Sequence, residues 1–177
     1  MVEKSVTIED VNKMSSPSDK FYVALEDNTY GIRFKSFKIR DIDTKEVFHE
    51  FSTEDVFQLD YFADNLLQYE FPYKMLNSNR IGTNLSLVVG DKLVKNLNFI
   101  ERHYIEGDLI KSFEFEFPLF MPKSTNNIEF IYNIPKLKES IINKIKQKET
   151  INAFSDTFIF VDKKLIIHRR ATYKYNH

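Results

Sequence analysis

The segment NFIERHYIEG, residues 98–107, carries the side chains best suited by type and spacing to recognise a ligand. In a β-strand, Phe99, Glu101, His103 and Ile105 would share one face, because side chains alternate between the two faces. If that face is buried, its carboxylate and imidazole must be satisfied by some partner. Two interpretations stay open from these residues alone. One is an internal Glu–His pair or a solvent-facing patch, and the other is the mouth of an apolar tunnel whose polar groups meet a ligand with a hydrocarbon tail.

Patterns for catalysis and metal binding are absent from the sequence. The four histidines are scattered, with no pair four residues apart and no carboxylate at ligand spacing, which argues against a metal site. Four isolated glycines and zero cysteines leave no dinucleotide fingerprint, no P-loop, no zinc knuckle and no thiolate nucleophile. No G-x-S-x-G motif occurs either. We therefore expect a protein that is not an enzyme and that uses no cofactor.

Charge and hydropathy exclude further classes of partner. The 177 residues include 25 Lys and Arg against 26 Asp and Glu, whereas proteins that bind nucleic acid by counterion release carry a marked basic excess. No apolar stretch approaches the 18 residues of a spanning helix, and the N-terminus lacks the pattern of a signal peptide. We expect no nucleic-acid partner, no stable membrane insertion and, since cysteine is absent, a reducing cytoplasmic location.

The elements that must position the Glu–His pair are mainly strands. Seventeen Phe and nine Tyr residues suit pleated surfaces with an aromatic interior. Alternation of apolar and polar residues predicts a hairpin from YGIRFKSFKIRDID to TKEVFHEF, an edge or terminal strand LLQYEFPY, a hairpin turning at Gly90-Asp91, a strand with Phe113, Phe115 and Phe117 on its dry face, a strand NNIEFIYNI and a C-terminal hairpin turning at residues 162–164. The acidic, aromatic segment 55–64 is typical of a long surface loop. About eight strands favour an all-β sandwich of the immunoglobulin-like type.

Two helical segments are predicted beside the strands. Residues 1–20 indicate a short N-terminal helix capped by Thr7 and a linker, set apart from a main domain of residues 21–177. Pro135 is expected to open a helix over residues 136–148, where isoleucines and a leucine recur at helical spacing against five lysines. Those lysines would suit an anionic membrane surface, but the apolar stripe is more typical of packing on a sandwich.

Several long stretches of the sequence resemble a known family. They are FKIRDIDT, VVGDKLVKNLNFIERHYIEGDLIKSFEFEF, MPKSTNNIEFIYNIP and SDTFIFVDKKLIIHRRATYKY. All are similar to the lipid-binding family that includes uncoordinated protein one-nineteen and the phosphodiesterase delta subunit, and the similarity runs from about Val6 to Tyr175. The resemblance implies an immunoglobulin-like sandwich with a hydrophobic pocket between its sheets, which holds the acyl or prenyl chain of a lipidated protein.

The resemblance also implies a branch of the family and a set of lipid-binding residues. The myristoyl-binding branch has Glu and His at the positions that match Glu101 and His103, so the chain is similar to that branch rather than to the prenyl-binding one. Tyr69 matches a tyrosine near the lipidated glycine. The other implied residues match pocket-lining positions: Phe37, Ile39, Met75, Ile81, Phe113, Phe115, Tyr132, Phe158, Phe160 and Tyr173. His49 and Met75 depart from the family, which has aromatic residues there.

The resemblance further implies partners and a cycle. N-myristoylated proteins would be the cargo, carried through the cytosol to a destination such as a cilium or flagellum, and an Arf-like small GTPase in its GTP state would bind outside the pocket and cause release. Two alternatives stay open. One is a prenyl carrier, and the other is an interaction scaffold whose own Phe side chains fill the pocket, which predicts a collapsed core with no cavity of ligand size.

Overall fold

A computed structural model describes residues 5–52, 66–147 and 149–176, and two β-sheets packed face to face dominate these ranges. The strands in the described ranges are β1 Arg33–Asp41, β2 Val47–Ser52, β3 Leu66–Pro72, β4 Arg80–Val88, β5 Val94–Ile105, β6 Asp108–Phe120, β7 Thr125–Asn133, β8 Ile151–Val161 and β9 Lys164–Asn176. The α-helices there are α1 Ile8–Lys13 and α2 Glu139–Lys146, and two short 3-10 helices cover Leu25–Asp27 and Tyr73–Asn77.

The topology is that of a sandwich. One sheet has the order β2-β1-β4-β7 and the other the order β3-β9-β8-β5-β6, with antiparallel neighbours except for the parallel pair β3 and β9. The all-β, immunoglobulin-like fold is thereby confirmed. The β1–β2 and β8–β9 hairpins are present as expected, and β3 is an edge strand that ends at Pro72. The loop expected at residues 55–64 lies outside the described residues.

The prediction of a hairpin at Gly90-Asp91 is wrong. β4 and β5 flank this turn but belong to different sheets, so the chain crosses the sandwich here. Gly90 donates from its N–H to the Tyr30 carbonyl at 3.0 Å, and a Cβ at this position would lie 2.6 Å from that same oxygen. The glycine therefore serves a close approach to a neighbouring segment. A Gly-Asp pair between apolar runs indicates a change of direction but cannot say which sheet the next strand joins.

The second predicted helix starts later than expected. Pro135 does not open it, because Lys138 still has extended backbone and α2 begins at Glu139. The preceding residues are used differently, since Pro135 and Leu137 line a cavity between the sheets. Within α2, Ile141 is buried whereas Ile142 is 37% exposed. None of the helices in the described ranges is long and apolar enough to cross a membrane.

Apolar side chains form three clusters in the described residues. The central core lies between the sheets around Leu87, Leu97 and Ile159. A second cluster, which we call the mouth cluster, surrounds Ile81 and Tyr173 between the sheets, nearer one end of the sandwich. The outer cluster lies on the opposite face of the five-stranded sheet, and its members are Val11, Ile100, Phe158, Phe160 and Leu165. The central strands of the five-stranded sheet are thus buried on both faces.

The N-terminal helix supplies the cover for the outer cluster. α1 begins with a capping box, in which Thr7 Oγ1 accepts from the Asp10 N–H at 3.1 Å and the Asp10 carboxylate accepts from the Thr7 N–H at 3.0 Å. Such a box satisfies two backbone N–H groups that a helix start otherwise leaves free. Val11 is fully buried against the sheet. The short helix is therefore packed onto the sandwich.

Candidate functional site

A cavity of about 90 Å³ lies between the sheets at the end of the sandwich where β5, β7 and β9 finish and β6 and β8 begin. Ten of the thirteen sequence-predicted site residues line it: Phe37, Ile39, Met75, Ile81, Glu101, His103, Phe113, Phe115, Tyr132 and Tyr173. Both sheets contribute side chains to the wall, and most of these side chains are aromatic or aliphatic. Their role in holding a lipid stays a prediction.

The polar edge of the cavity is the Glu–His pair of β5. The Glu101 carboxylate lies 3.1 Å from His103 Nε2. The Glu101 side chain is 22% exposed to solvent and the His103 side chain 27%. The His103 ring meets the Phe113 ring edge-on at 5.4 Å and lies near-parallel to Tyr173 at 6.3 Å. The structure therefore gives both elements that the sequence left open: an internal Glu–His pair, placed at the edge of an apolar space.

Two tyrosines face this carboxylate from different sheets. Burial raises the pKa of the Tyr132 and Tyr173 phenols, and the negative charge of Glu101 raises the pKa of each further. Tyr132 also makes a hydrogen bond with Thr83, and Tyr173 makes one with Ser155. Both phenols stay protonated at physiological pH, so each keeps one O–H donor and acceptor capacity. The two phenols can therefore offer hydrogen bonds to a ligand.

Tyr69 lies beside the cavity rather than in its wall. It is buried on the edge strand β3, and its ring packs on Phe37 at 5.9 Å and on Tyr173 at 5.7 Å, which both line the cavity. The ring of His49 lies 5.0 Å from that of Tyr69. Within the described part of the chain, His49 Nε2 is buried without a hydrogen-bond partner. Burial lowers the pKa of His49, which favours the neutral imidazole.

The structure places Phe158 and Phe160, two of the sequence-predicted site residues, away from the cavity. Both are fully buried in the outer cluster under the N-terminal segment, whereas their neighbour Ile159 points between the sheets into the central core. The physical reason is strand alternation, which sends residues 158 and 160 to the face opposite residue 159. Phe158 stacks on His168 with ring centroids 4.4 Å apart. These two residues do not line the cavity.

Several cavity residues were not among the predicted site residues. They include Phe71, Thr83, Ile105, Ile110, Lys111, Phe130, Ile134, Pro135, Leu137 and Tyr175. Alternation carried a signal for some of them. Lys111 lies two residues before Phe113 and Tyr175 two residues after Tyr173, so each shares a strand face with a residue that was identified. No comparable signal marks Pro135 and Leu137, because they lie in irregular chain.

A buried group of Ser18, Asp156 and His168 has the composition of a catalytic triad but not its geometry. In a triad the carboxylate contacts one imidazole nitrogen and the hydroxyl the other. Here Asp156 Oδ1 and Ser18 Oγ both approach His168 Nε2, at 3.5 and 3.3 Å, while Nδ1 accepts from the Tyr22 N–H at 3.2 Å. All three side chains are buried. The group fastens the N-terminal segment to the sheet.

The ranges that the structure describes contain no set of side chains that could bind a metal ion. Nowhere in those ranges do three or more His, Asp or Glu side chains converge in a way that could hold a metal ion. The polar groups of the cavity are a carboxylate, an imidazole, an ammonium and several hydroxyls. These groups bind by hydrogen bonds and charge, so the arrangement suits recognition of a ligand head.

Comparisons with known proteins agree with this architecture. The family model for the GMP-PDE delta subunit matches residues 26–175. The chain belongs to this family. It is a family of lipid-binding carriers, so the resemblance seen in the sequence is confirmed.

Individual relatives cover nearly the whole chain. The chain is 38% identical over 176 residues to the protein unc-119 homolog B-B of Xenopus laevis, and the match covers 95% of this chain and 73% of that protein. It is 36% identical to the protein unc-119 homolog B of Homo sapiens, over 95% of this chain and 71% of that protein. It is 32% identical to the protein unc-119 of Caenorhabditis elegans, over 99% of this chain and 82% of that protein.

Proposed function

We propose that the protein is a solubilising carrier, not a catalyst, that holds the N-terminal myristoyl group of acylated proteins in the cavity between its sheets. The observation that carries the proposal is an apolar cavity with the Glu101–His103 pair at its partly exposed edge. A hydrocarbon tail fits the aromatic interior, and an amide at the acyl head fits the polar edge. A prenyl chain has no such amide at its head, which is why the myristoyl group is the favoured ligand.

The energy of burial is large enough for extraction from a membrane. An acyl chain with about 13 methylene and methyl groups gains roughly 0.8 kcal/mol per group, or about 10 kcal/mol before the costs of ordering. A single myristoyl chain binds a bilayer only marginally and reversibly. A dry aromatic cavity therefore competes with the membrane, and the carrier can move its cargo through the cytosol to a destination such as a cilium or flagellum.

Room for the tail requires rearrangement. The cavity of about 90 Å³ is smaller than the roughly 150 Å³ void that holds one benzene molecule in an engineered protein core. Side chains of the wall must therefore move when an acyl chain enters. Met75 is well suited to this, because methionine is unbranched and adapts its shape at low cost.

The same small volume favours a second candidate. In an interaction scaffold, aromatic side chains of the protein itself fill the space between the sheets, and no lipid is bound. Phe113 and Phe115 already stack with ring centroids 6.4 Å apart inside this space. The scaffold and the carrier differ in one measurable property, which is binding of a lipidated peptide.

Peptide binding tests the proposal directly. Native mass spectrometry and fluorescence anisotropy would compare peptides with a myristoyl-glycine, a farnesyl-cysteine and no lipid. We expect the myristoyl peptide to bind at least about tenfold more tightly than the farnesyl peptide, which is about 1.4 kcal/mol. Equal affinities or a farnesyl preference would assign the prenyl-carrier alternative. Binding of neither lipidated peptide would favour the scaffold.

Release is proposed to need a second ligand. A carrier that retains much of the burial energy lets go slowly unless another molecule prefers its empty form. An Arf-like small GTPase in its GTP state, bound outside the cavity, would be that molecule, and it must favour the empty carrier by the same factor by which it weakens cargo binding. Stopped-flow dissociation of a fluorescent myristoyl peptide should accelerate with the GTP-analogue form and not with the GDP form. Unchanged rates would mean that release follows another route.

A further inference from the structure

One charged residue of the cavity has no role in the site described so far. Lys111 lies on β6 directly opposite His103 of β5, and its side chain lines the cavity. Its ammonium group lies 5.7 Å from the centroid of the Phe113 ring. The side chain is only half buried. Its aliphatic part therefore follows the apolar wall while its charge reaches the edge of the cavity.

The acidic groups near this cation have other partners. Glu101 lies against His103 at 3.1 Å, Asp108 pairs with Lys138, and Glu106 pairs with Lys144 at 3.3 Å. Among the residues that the structure describes, no carboxylate lies within ion-pair distance of Lys111. An ammonium without a carboxylate partner at a partly desolvated edge favours an incoming anion, because hydrogen bonds between two charged groups are the strong ones.

The position of Glu101 limits where that anion can be. A carboxylate at the acyl head itself, as in a free fatty acid, would lie beside the Glu101 carboxylate and be repelled. An acidic group further from the acyl head avoids this repulsion and still reaches Lys111. An extended peptide advances about 3.3 Å per residue, so the side chains within about three residues of the acylated glycine fall within reach of a lysine side chain.

Resting on the proposed function, we propose that Lys111 is a specificity residue that selects myristoylated cargo with Asp or Glu among the few residues that follow the acylated glycine. The cargo class is thus defined by two features, a myristoyl tail in the cavity and an acidic side chain at its edge. Partly exposed ion pairs of this kind discriminate modestly, so we expect a preference of roughly fivefold between an acidic and a basic residue.

A charge-reversal experiment tests the assignment. Three myristoyl peptides that differ only by Glu, Gln or Lys at the third residue would be titrated into wild-type protein and into Lys111→Glu. Wild type should bind the Glu peptide about fivefold more tightly than the Lys peptide, and Lys111→Glu should reverse that order. The wild-type preference should also shrink at high salt, because partly exposed charges are screened.

Two further variants serve as controls. Lys95→Glu makes the same change of charge on an exposed residue at the opposite end of β5, so it should keep the wild-type order of peptides. Lys111→Met keeps the aliphatic part of the side chain and should bind all three peptides alike. Circular dichroism melting would verify that each variant is folded.

The outcomes separate this inference from the proposed function. If the three myristoyl peptides bind wild type equally, or if Lys111→Glu keeps the wild-type order, Lys111 does not select cargo although the carrier function stands. If no myristoyl peptide binds the wild-type protein, the carrier function fails and the selection falls with it.

Discussion

The two faces of the five-stranded sheet should separate stability from ligand binding. Phe158 and Phe113 are both phenylalanines of this sheet, but Phe158 is fully buried in the outer cluster whereas Phe113 is half buried in the cavity wall. Truncation of each to alanine removes the same atoms from different surroundings. We expect Phe158→Ala to damage stability alone and Phe113→Ala to damage mainly the binding of a myristoyl peptide.

The expected magnitudes follow from burial. Replacement of a buried Phe by Ala typically costs about 3–5 kcal/mol, and Phe158 belongs at the upper part of this range because it has no exposed surface and stacks on His168. Phe113 has part of its surface open, so its truncation should cost about 2 kcal/mol. Single domains are stable by about 5–15 kcal/mol, so Phe158→Leu is a milder companion that keeps the fold if the alanine variant unfolds.

Urea unfolding with and without peptide measures both quantities in one assay. A ligand at one hundred times its dissociation constant stabilises the folded state by about 2.7 kcal/mol, which moves the midpoint by roughly 1 M urea. Phe158 variants should have lower midpoints but keep the full shift on adding peptide, and Phe113→Ala should lose most of it. A Phe158→Leu protein that is folded yet shows no shift would refute the assignment of the two faces.

Two further predictions concern polar groups at the mouth cluster. Glu101→Gln should weaken myristoyl-peptide binding by about tenfold with little change in the urea midpoint, because it replaces a charged acceptor by a neutral amide at a partly exposed edge that supports the core little. Calorimetric titration would measure both affinities, and an affinity equal to that of wild type would contradict this prediction. His49→Phe should raise the midpoint at pH 5.5 more than at pH 7.5. Burial lowers the pKa of His49, so the unfolded chain binds more protons as pH falls below about 6.5 and wild type loses stability there. Equal gains at both pH values would show that His49 does not titrate in this way.

Much of the fold follows from alternation in the sequence. Alternate residues of β6, namely Phe113, Phe115 and Phe117, pair with alternate residues of β5. The pattern that predicts the strand therefore also predicts which of its residues face the interior. The Glu101–His103 pair was found in the same way. In β6 polar residues and phenylalanines alternate strictly from Ser112 to Phe117, and the inner face of that strand is therefore unambiguous.

The same rule fails where both faces of a strand are buried. Residues 158–161, with the sequence FIFV, are all buried in β8, because the N-terminal helix covers the outer face of the sheet. An uninterrupted apolar run has no polar face to define the inside. Family resemblance implies a pocket-lining position for Phe158 and Phe160, whereas the structure places both in the outer cluster, away from the cavity. The cover itself was not foreseeable, because a short amphipathic helix in the sequence does not reveal the surface on which it packs.

The arrangement of the three apolar clusters would let one end of the sandwich accept a ligand, as the proposed function requires, without loss of the fold. The central core and the outer cluster bury Leu97, Ile100 and Phe158 almost completely, so their contribution to stability does not depend on the cavity. The cavity wall instead keeps Phe113 and Tyr132 only half buried. A hydrocarbon tail that enters would remove the remaining apolar surface of these rings from water. Under the proposed function, ligand entry would therefore complete the burial of these two rings, and its cost would be confined to the side chains that must move aside.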